Sequence, residues 1–356
     1  MMKHRRLIVL AALLLSGIVV WFGLHAKPAR EHLPGAEQAQ RQLLRIWVVD
    51  AIGGSESWLR DCLKDWEKAN PGAMTFLRRV SADELVREDA VLPDILLYTP
   101  GSIAEPDKLF LPLSGETGVK EELLRAGRWK GQQYGLPLCF GGYALAIDSS
   151  IEPHLAVTPA PTTLLGKPRV TADPAATPTP GFPASATLLA PKGCGLFTLG
   201  LILDERPALP EGFATTDAAD VFLRFQAKQA SSALLTTGQV TALGSTVPLR
   251  IMTPGQVITD QVFFASVFPG ASNSAAQLLT YLTSAEAQRK LSGQGLHTVR
   301  DDLRLYVSGT EALIETAASH SLAAINAYGN AADTEAAAWQ FFHGRITLDD
   351  ALLPLL

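Results

Sequence analysis

At 356 residues the chain is long enough for two ordinary domains, and with 47% hydrophobic and 18% charged residues it can bury a core. A formal net charge of −5, with the basic residues scattered, leaves no electrostatic footprint for nucleic acid. The three cysteines, Cys62, Cys139 and Cys194, fit no metal-binding spacing, and their odd number leaves at least one without an intrachain partner.

The N-terminus opens on Lys3, His4, Arg5 and Arg6, and residues 7–24 are then almost wholly apolar. A basic start followed by an apolar run is an export signal, and this run is nearly long enough to span a bilayer. Leu24-His25-Ala26 is a weak cleavage site and no cysteine follows it, so residues 1–26 read either as a cleaved signal or as a retained membrane anchor. Positive charge on the inner flank places the chain from residue 27 onward outside the cytoplasm. Residues 27–42, polar with proline and glycine, form a spacer.

Residues 43–50 have the composition of a buried strand and 51–57 that of a glycine loop. Trp58, Leu59, Cys62, Leu63 and Trp66 recur at helical spacing over 58–69, and Asn70-Pro71-Gly72 ends that helix. A strand over 74–80, a short helix over 82–89 and a strand over 93–98 follow, closed by the turn Thr99-Pro100-Gly101. Strand, helix, strand, helix, strand implies parallel strands with crossover helices. Ligands in such sheets sit outside the carboxyl ends of the strands, so 50–57 and 99–102 fall at the functional edge.

Further on, residues 159–183 are rich in proline, threonine and alanine, and 186–203 are apolar with three glycines. A helix is predicted over 217–229 and strands over 232–237 and 247–252. Residues 257–265 should return the chain to the side of the first strands. Ser284 stands where it can cap a helix containing Glu286, Ala287 and Gln288, with Gly293 and Gly295 as the stop. Residues 311–356 read as helical, with Thr347 capping a last helix that carries Asp349 and Asp350 in its first turn.

Four segments carry a resemblance. Residues 274–300 include Tyr281-Leu282-Thr283-Ser284-Ala285-Glu286-Ala287-Gln288 and end Gly295-Leu296-His297-Thr298-Val299-Arg300. Residues 129–138 read Trp-Lys-Gly-Gln-Gln-Tyr-Gly-Leu-Pro-Leu, and 142–148 read Gly-Tyr-Ala-Leu-Ala-Ile-Asp. Residues 344–352 read Gly-Arg-Ile-Thr-Leu-Asp-Asp-Ala-Leu. In this order, behind an export signal, they resemble blocks of the bacterial extracellular solute-binding proteins that serve ABC transporters. The resemblance implies a two-lobed α/β fold of the periplasmic-binding-protein type with mostly parallel sheets. Lobe 1 would combine 43–146 with 260–305 and lobe 2 would combine 147–259 with 306–356. It also implies capture of a small solute, with carbohydrate leading by family analogy, and delivery to the permease subunits of an ABC importer.

The chain departs from the family between Pro161 and Phe225, where the second lobe is short, and at 225–234, where a family glycine and methionine are missing. These departures fit an alternative, a membrane-tethered relative that has lost its transport ligand and serves as an interaction or sensor domain.

Reaction chemistry is not legible. Gly193-Cys194-Gly195 lacks the last glycine of a dinucleotide fingerprint. The sequence has no P-loop and no nucleophile elbow, and the seven histidines have no ligand spacing. No cofactor or metal is implied, and the chain reads as a binding protein rather than an enzyme. Asp50 and Glu56 qualify as reacting carboxylates only by their location. For a binding cleft the expected contacts are Glu56 and Thr99 at the carboxyl edge of lobe 1 and Tyr143 at the first crossing between lobes. Phe197, Thr237 and Tyr328 are expected from lobe 2. Trp58, beside Glu56, fits either the cleft or the core behind it.

Overall fold

The computed structural model describes residues 42–85, 92–114, 118–151, 187–203, 209–244 and 248–356. The expected signal or anchor, all but the last residue of the spacer, the end of the helix expected over 82–89 and the stretch 159–183 lie outside the described residues. Among the described residues, no helix is long and apolar enough to cross a membrane.

The chain begins β1 (Gln42–Val48), α1 (Ser55–Ala69), β2 (Ala73–Arg79), α2 (Ala82–Leu85), β3 (Ile95–Tyr98). A 3-10 turn (Pro106–Lys108), α3 (Glu121–Ala126) and the small hairpin β4 (Arg128–Trp129) and β5 (Gln132–Gln133) lead to β6 (Leu136–Phe140) and β7 (Tyr143–Asp148). Next come β8 (Thr187–Pro191), α4 (Cys194–Ile202), β9 (Gly212–Thr216), α5 (Ala218–Gln226), β10 (Ser232–Thr236), α6 (Thr237–Leu243) and β11 (Leu249–Met252). The remainder is β12 (Val257–Thr259), β13 (Val262–Val267), α7 (Asn273–Leu282), α8 (Ala285–Arg289), α9 (Gly309–His320), β14 (Leu322–Ala324), α10 (Ala331–Phe342) and α11 (Leu348–Leu352).

These strands build two five-stranded sheets, ordered β2-β1-β3-β13-β6 and β11-β7-β10-β8-β9. Each sheet has its own core. The first centres on Leu44, Ile46, Leu97, Phe263 and Phe264, closed on one side by Trp58, Leu59, Cys62, Leu63 and Trp66 of α1. The second sheet is covered on both faces, as its period-2 alternation requires. Leu145, Ile147, Leu188 and Leu234 meet α4 and α10, whereas Ala144, Ala146, Leu189 and Leu235 meet Val221 and Phe225 of α5.

The sheets are mixed rather than mostly parallel. β1 pairs parallel with β2 and β3, and β8 with β9 and β10, but β13 is antiparallel to β3 and β6, and β7 to β10 and β11. The antiparallel strands are those adjoining the passages between sheets, where the chain arrives from the other side. β7 belongs wholly to the second sheet, so the first passage falls at Gly141-Gly142 rather than at residue 146.

On the outer edge of the first sheet, β2 leaves Met74 and Phe76 exposed, at 44% and 52%. Beside them the Glu67 carboxylate of α1 accepts both the backbone N–H and the hydroxyl of Thr75, the latter at 2.6 Å.

The two-stranded parallel ribbon β12–β14 serves both cores. Val257, Leu322 and Ala324 pack into the first, whereas Ile258, Ala323 and Ile325 pack against the second. The strand at 322–324 was not expected inside a helical C-terminal region; it is a three-residue insert between α9 and α10.

The Ser-Ala-Glu-Ala-Gln segment folds as its pattern predicts. Ser284 accepts the Ala287 N–H, and Gly293 and Gly295 take φ of 83° and 67°. Its glutamine is the keystone of the region. Gln288 is fully buried; its amide donates to the Leu138 and Leu282 carbonyls, and its oxygen accepts from the Thr298 hydroxyl and the Val299 N–H, all within 2.8–3.0 Å. One side chain thereby ties β6, α7 and the segment at 298–299. Each buried polar group left unpaired costs about 1–3 kcal/mol. Gln288→Leu removes all four hydrogen bonds, leaving the Thr298 hydroxyl with only the Arg300 N–H, and a loss of roughly 3 kcal/mol or more is expected in urea unfolding. A loss below about 1 kcal/mol would contradict this account.

His297 is likewise fully buried, between the rings of Phe140 and Tyr306, and neither ring nitrogen has a partner. Burial, helped by the charge of Lys120, pushes its pKa down from 6.5 to about 3. The unfolded chain therefore takes up a proton below pH 6.5 that the folded chain refuses. This contribution to stability is complete above that pH and shrinks as pH falls toward about 3. Between pH 7 and pH 5 the loss is about 2 kcal/mol relative to His297→Leu, which cannot titrate. Parallel pH–stability curves for the two proteins would exclude His297 as the cause.

Candidate functional site

The parallel strands direct their carboxyl ends toward the junction of the two sheets. On the first side, Asp50 lies two residues beyond the end of β1, and its carboxylate accepts the Ala51 N–H at 2.8 Å and the Thr99 hydroxyl at 2.6 Å. Thr99 follows β3 directly, with Ser102 Oγ 3.5 Å away. Two strand ends thus meet in one hydrogen-bonded pair. Ser55, buried at the start of α1, donates to the Ile52 carbonyl and fixes the loop between them.

On the second side, β10 ends in a capping box. Thr236 accepts the Gln239 N–H while the Gln239 side chain accepts the Thr236 N–H. Thr237 then meets the first passage, its N–H donating to Gly142 O at 2.9 Å and its hydroxyl accepting the Gly142 N–H at 3.3 Å.

Between the sides lies Asp260, in the second passage between β12 and β13. One oxygen accepts from the Tyr143 hydroxyl at 2.7 Å and the Gln261 amide at 3.0 Å. The other faces the Cys194 N–H at 3.4 Å, at the start of α4. Gln261 also donates to Tyr143 Oη at 2.9 Å. All three partners are neutral donors. Burial, reinforced by the charge of Asp260, raises the Tyr143 hydroxyl well above its ordinary pKa, so it remains a donor. The Cys194 thiol is raised for the same two reasons. The half-buried carboxylate sits where both halves of the chain converge, which suits it to accept hydrogen bonds from hydroxyl or ammonium groups.

The six residues expected in a cleft divide. Thr99 stands at the carboxyl edge beside Asp50, and Tyr143 and Thr237 come together around Gly142, with Tyr143 presenting only its hydroxyl to the junction. Glu56 turns away to an ion pair with Arg79 and lies 3.8 Å from Arg60. Phe197 is a correction: its ring is fully buried against Phe341, 5.6 Å between centroids, because α4 is apolar all round and is enclosed by the second core. Tyr328 is another. It packs in the first core, where its hydroxyl meets Tyr98 Oη at 3.0 Å, because Ala327 N–H binds Ala126 O and draws the chain back after β14. Burial pushes the Tyr98 hydroxyl up to about 12. Trp58 is core as well, its indole N–H donating to Ala287 O at 2.9 Å.

Asp260 and Gln261 were missed. Their signal was a carboxylate and an amide interrupting the apolar run 257–265, where a purely buried strand has no use for them. The three cysteines are free and buried. Among the described residues, no group of three or more His, Cys, Asp or Glu suits a metal ion.

Superposition on solved structures decides the fold. The chain matches the GacH receptor of Streptomyces glaucescens, solved unliganded and with acarbose, at a TM-score of 0.60 over 88% of this chain and 96% of that one, with 11% identity. This is a solute-binding-protein fold. An ABC substrate-binding protein from Listeria monocytogenes in complex with cycloalternan matches at 0.57, over 88% and 97% of the two chains, with 12% identity. Iron-bound HitA from Pseudomonas aeruginosa matches at 0.53, over 84% and 99%, also with 12% identity. No protein-family model matches the sequence, and no curated sequence matches it.

Proposed function

We propose that this chain is an extracytoplasmic solute-binding protein that captures a small solute between two lobes and delivers it to an ABC importer, without catalysis. The lobes are the two sheets with their helices, joined at Gly141-Gly142, at Asp260-Gln261 and through β14. The observation that carries the reading is the meeting of the two carboxyl edges around an acceptor carboxylate, the place where open α/β sheets bind ligands. The export-type N-terminus supports placement outside the cytoplasm, with residues 7–24 either removed or retained as the tether.

Carbohydrate is the favoured solute class. The solute-binding fold is shared with receptors solved with acarbose and with cycloalternan. Asp50, Thr99, Asp260 and Gln261 are groups that pair with sugar hydroxyls. The aromatic residues expected to stack on a sugar, Trp58, Tyr143, Phe197 and Tyr328, are between 0% and 5% exposed. Recognition therefore rests on hydrogen bonds rather than on a ring platform, which favours a small polyhydroxylated solute.

A thermal-unfolding panel of monosaccharides, oligosaccharides, polyamines and peptides tests this. A genuine solute at a hundredfold excess over Kd stabilises the protein by about 2.7 kcal/mol. Asp260→Asn keeps the size and the acceptor for Tyr143 but removes the charge, and is expected to weaken binding by roughly tenfold or more. Silence across the whole panel would reject solute capture and favour the tethered interaction or sensor domain. Undiminished binding by Asp260→Asn would remove Asp260 from the site while leaving the function standing.

A further inference from the structure

At its outer margin the first sheet carries an apolar face open to solvent. In the parallel pair β1–β2, Leu43 stands opposite Met74, Arg45 opposite Phe76 and Trp47 opposite Arg78. Side chains alternate between the faces of a sheet, so these six share one face, while Leu44, Ile46 and Thr75 share the other, under α1. The Arg78 guanidinium accordingly lies over the Trp47 ring, 5.5 Å from its centroid. Leu43 is 43% exposed, beside the exposed Met74 and Phe76. Leu92, also exposed, lies next to them, since Arg45 Nη1 donates to its carbonyl at 3.4 Å. Single exposed apolar side chains are commonplace, but four gathered at one place with two arginines mark a contact surface.

We propose that this face lies against an anionic lipid surface, a proposal that builds on the reading of residues 7–24 as a retained tether. β1 begins at Gln42, one residue before Leu43, and residues 25–41 can span at most about 60 Å even when fully extended. A tether at 7–24 therefore keeps the face within reach of the bilayer. Phenylalanine, methionine and leucine enter the headgroup boundary, and arginine lays its apolar stem there while its guanidinium meets phosphate. Arg78 pairs with Glu84 at 2.6 Å, whereas the Arg45 guanidinium has no carboxylate partner among the described residues and can serve a phosphate. A second copy of the chain is the rival occupant. β2 is an edge strand, but its Thr75 N–H is already bonded to Glu67, which disfavours strand pairing there. Leu43, Met74 and Phe76 fall in the first halves of their strands, so a contact through them leaves the carboxyl edge with Asp50 and Thr99 free.

The test places a fluorophore at Met74→Cys in the full-length chain, reconstituted into vesicles of phosphatidylethanolamine and phosphatidylglycerol with and without a nitroxide-headgroup lipid as quencher; the three native thiols are buried. Leu223→Cys, exposed on α5 of the second sheet, is the control. The expected result is a marked loss of emission at 74 with the nitroxide lipid and none at 223. Phe76→Ser, Arg45→Gln and replacement of phosphatidylglycerol by phosphatidylcholine should each reduce that loss. Equal emission at 74 with and without the nitroxide lipid overturns the lipid contact, as does quenching that neither substitution changes. Self-quenching at 74 that rises with protein density, without response to the nitroxide lipid, assigns the face to a second copy and overturns it too. If residues 1–26 are removed on maturation, the mature chain is added to the same vesicles, and absence of quenching again overturns the contact. The solute panel reads the carboxyl edge, so quenching at 74 with a silent panel leaves the lipid contact standing, and a positive panel without quenching leaves solute capture standing.

Discussion

Two cores must be served by one pair of three-residue strands, and much of the architecture follows from that constraint. In the β12–β14 ribbon successive residues point to opposite faces, so Val257 and Leu322 enter the first core while Ile258 and Ala323 meet the second. A shift of one residue in either strand would exchange the faces and expose apolar groups on both sides. The ribbon is further locked to the first passage, with the Thr259 hydroxyl donating to Gly141 O at 2.7 Å and the Gly141 N–H donating to Gln261 O at the same distance. Asp260 stands at the end of this ribbon. Its position follows from packing on both sides and not from the loop in which it lies.

The polar cluster at the junction draws on all parts of the chain. Tyr143 comes from the first passage, Asp260 and Gln261 from the second, and Cys194 from the start of α4. A carboxylate supported only by neutral donors keeps its charge available to a bound group, whereas one paired with arginine would already be neutralised. The carboxylate at the other strand end, Asp50, is tied to Thr99 and to its own backbone neighbour. Both hold fixed directions, and fixed directions are what make hydrogen bonds selective.

Much of the first sheet was legible because its signals are local. The helical spacing of Trp58 through Trp66, the Asn70-Pro71-Gly72 stop and the cap at Ser284 lie where periodicity and capping chemistry put them. The strand directions were less accessible, since β13 and β7 run antiparallel for reasons that lie in passages more than a hundred residues apart. Site residues were harder still. Tyr328 and Phe197 sit in apolar or aromatic settings whose sequence cannot distinguish a wall of a cleft from a wall of a core, and both proved to be core. Asp260 was visible as an anomaly of composition, but its meaning required the partner residues, which sequence spacing does not bring together.

The contact between Glu67 and Thr75 has a bearing on how this protein behaves in a crowded compartment. β2 is an edge strand with Met74 and Phe76 on its open face, the features of a template for pairing with another chain. By engaging the Thr75 N–H, the carboxylate of α1 removes one of the edge donors a foreign strand would need. Solubility at this edge is therefore vested in a side chain that belongs to neither the strand nor the core. Material that keeps its fold but loses this one anion would be prone to stack edge to edge.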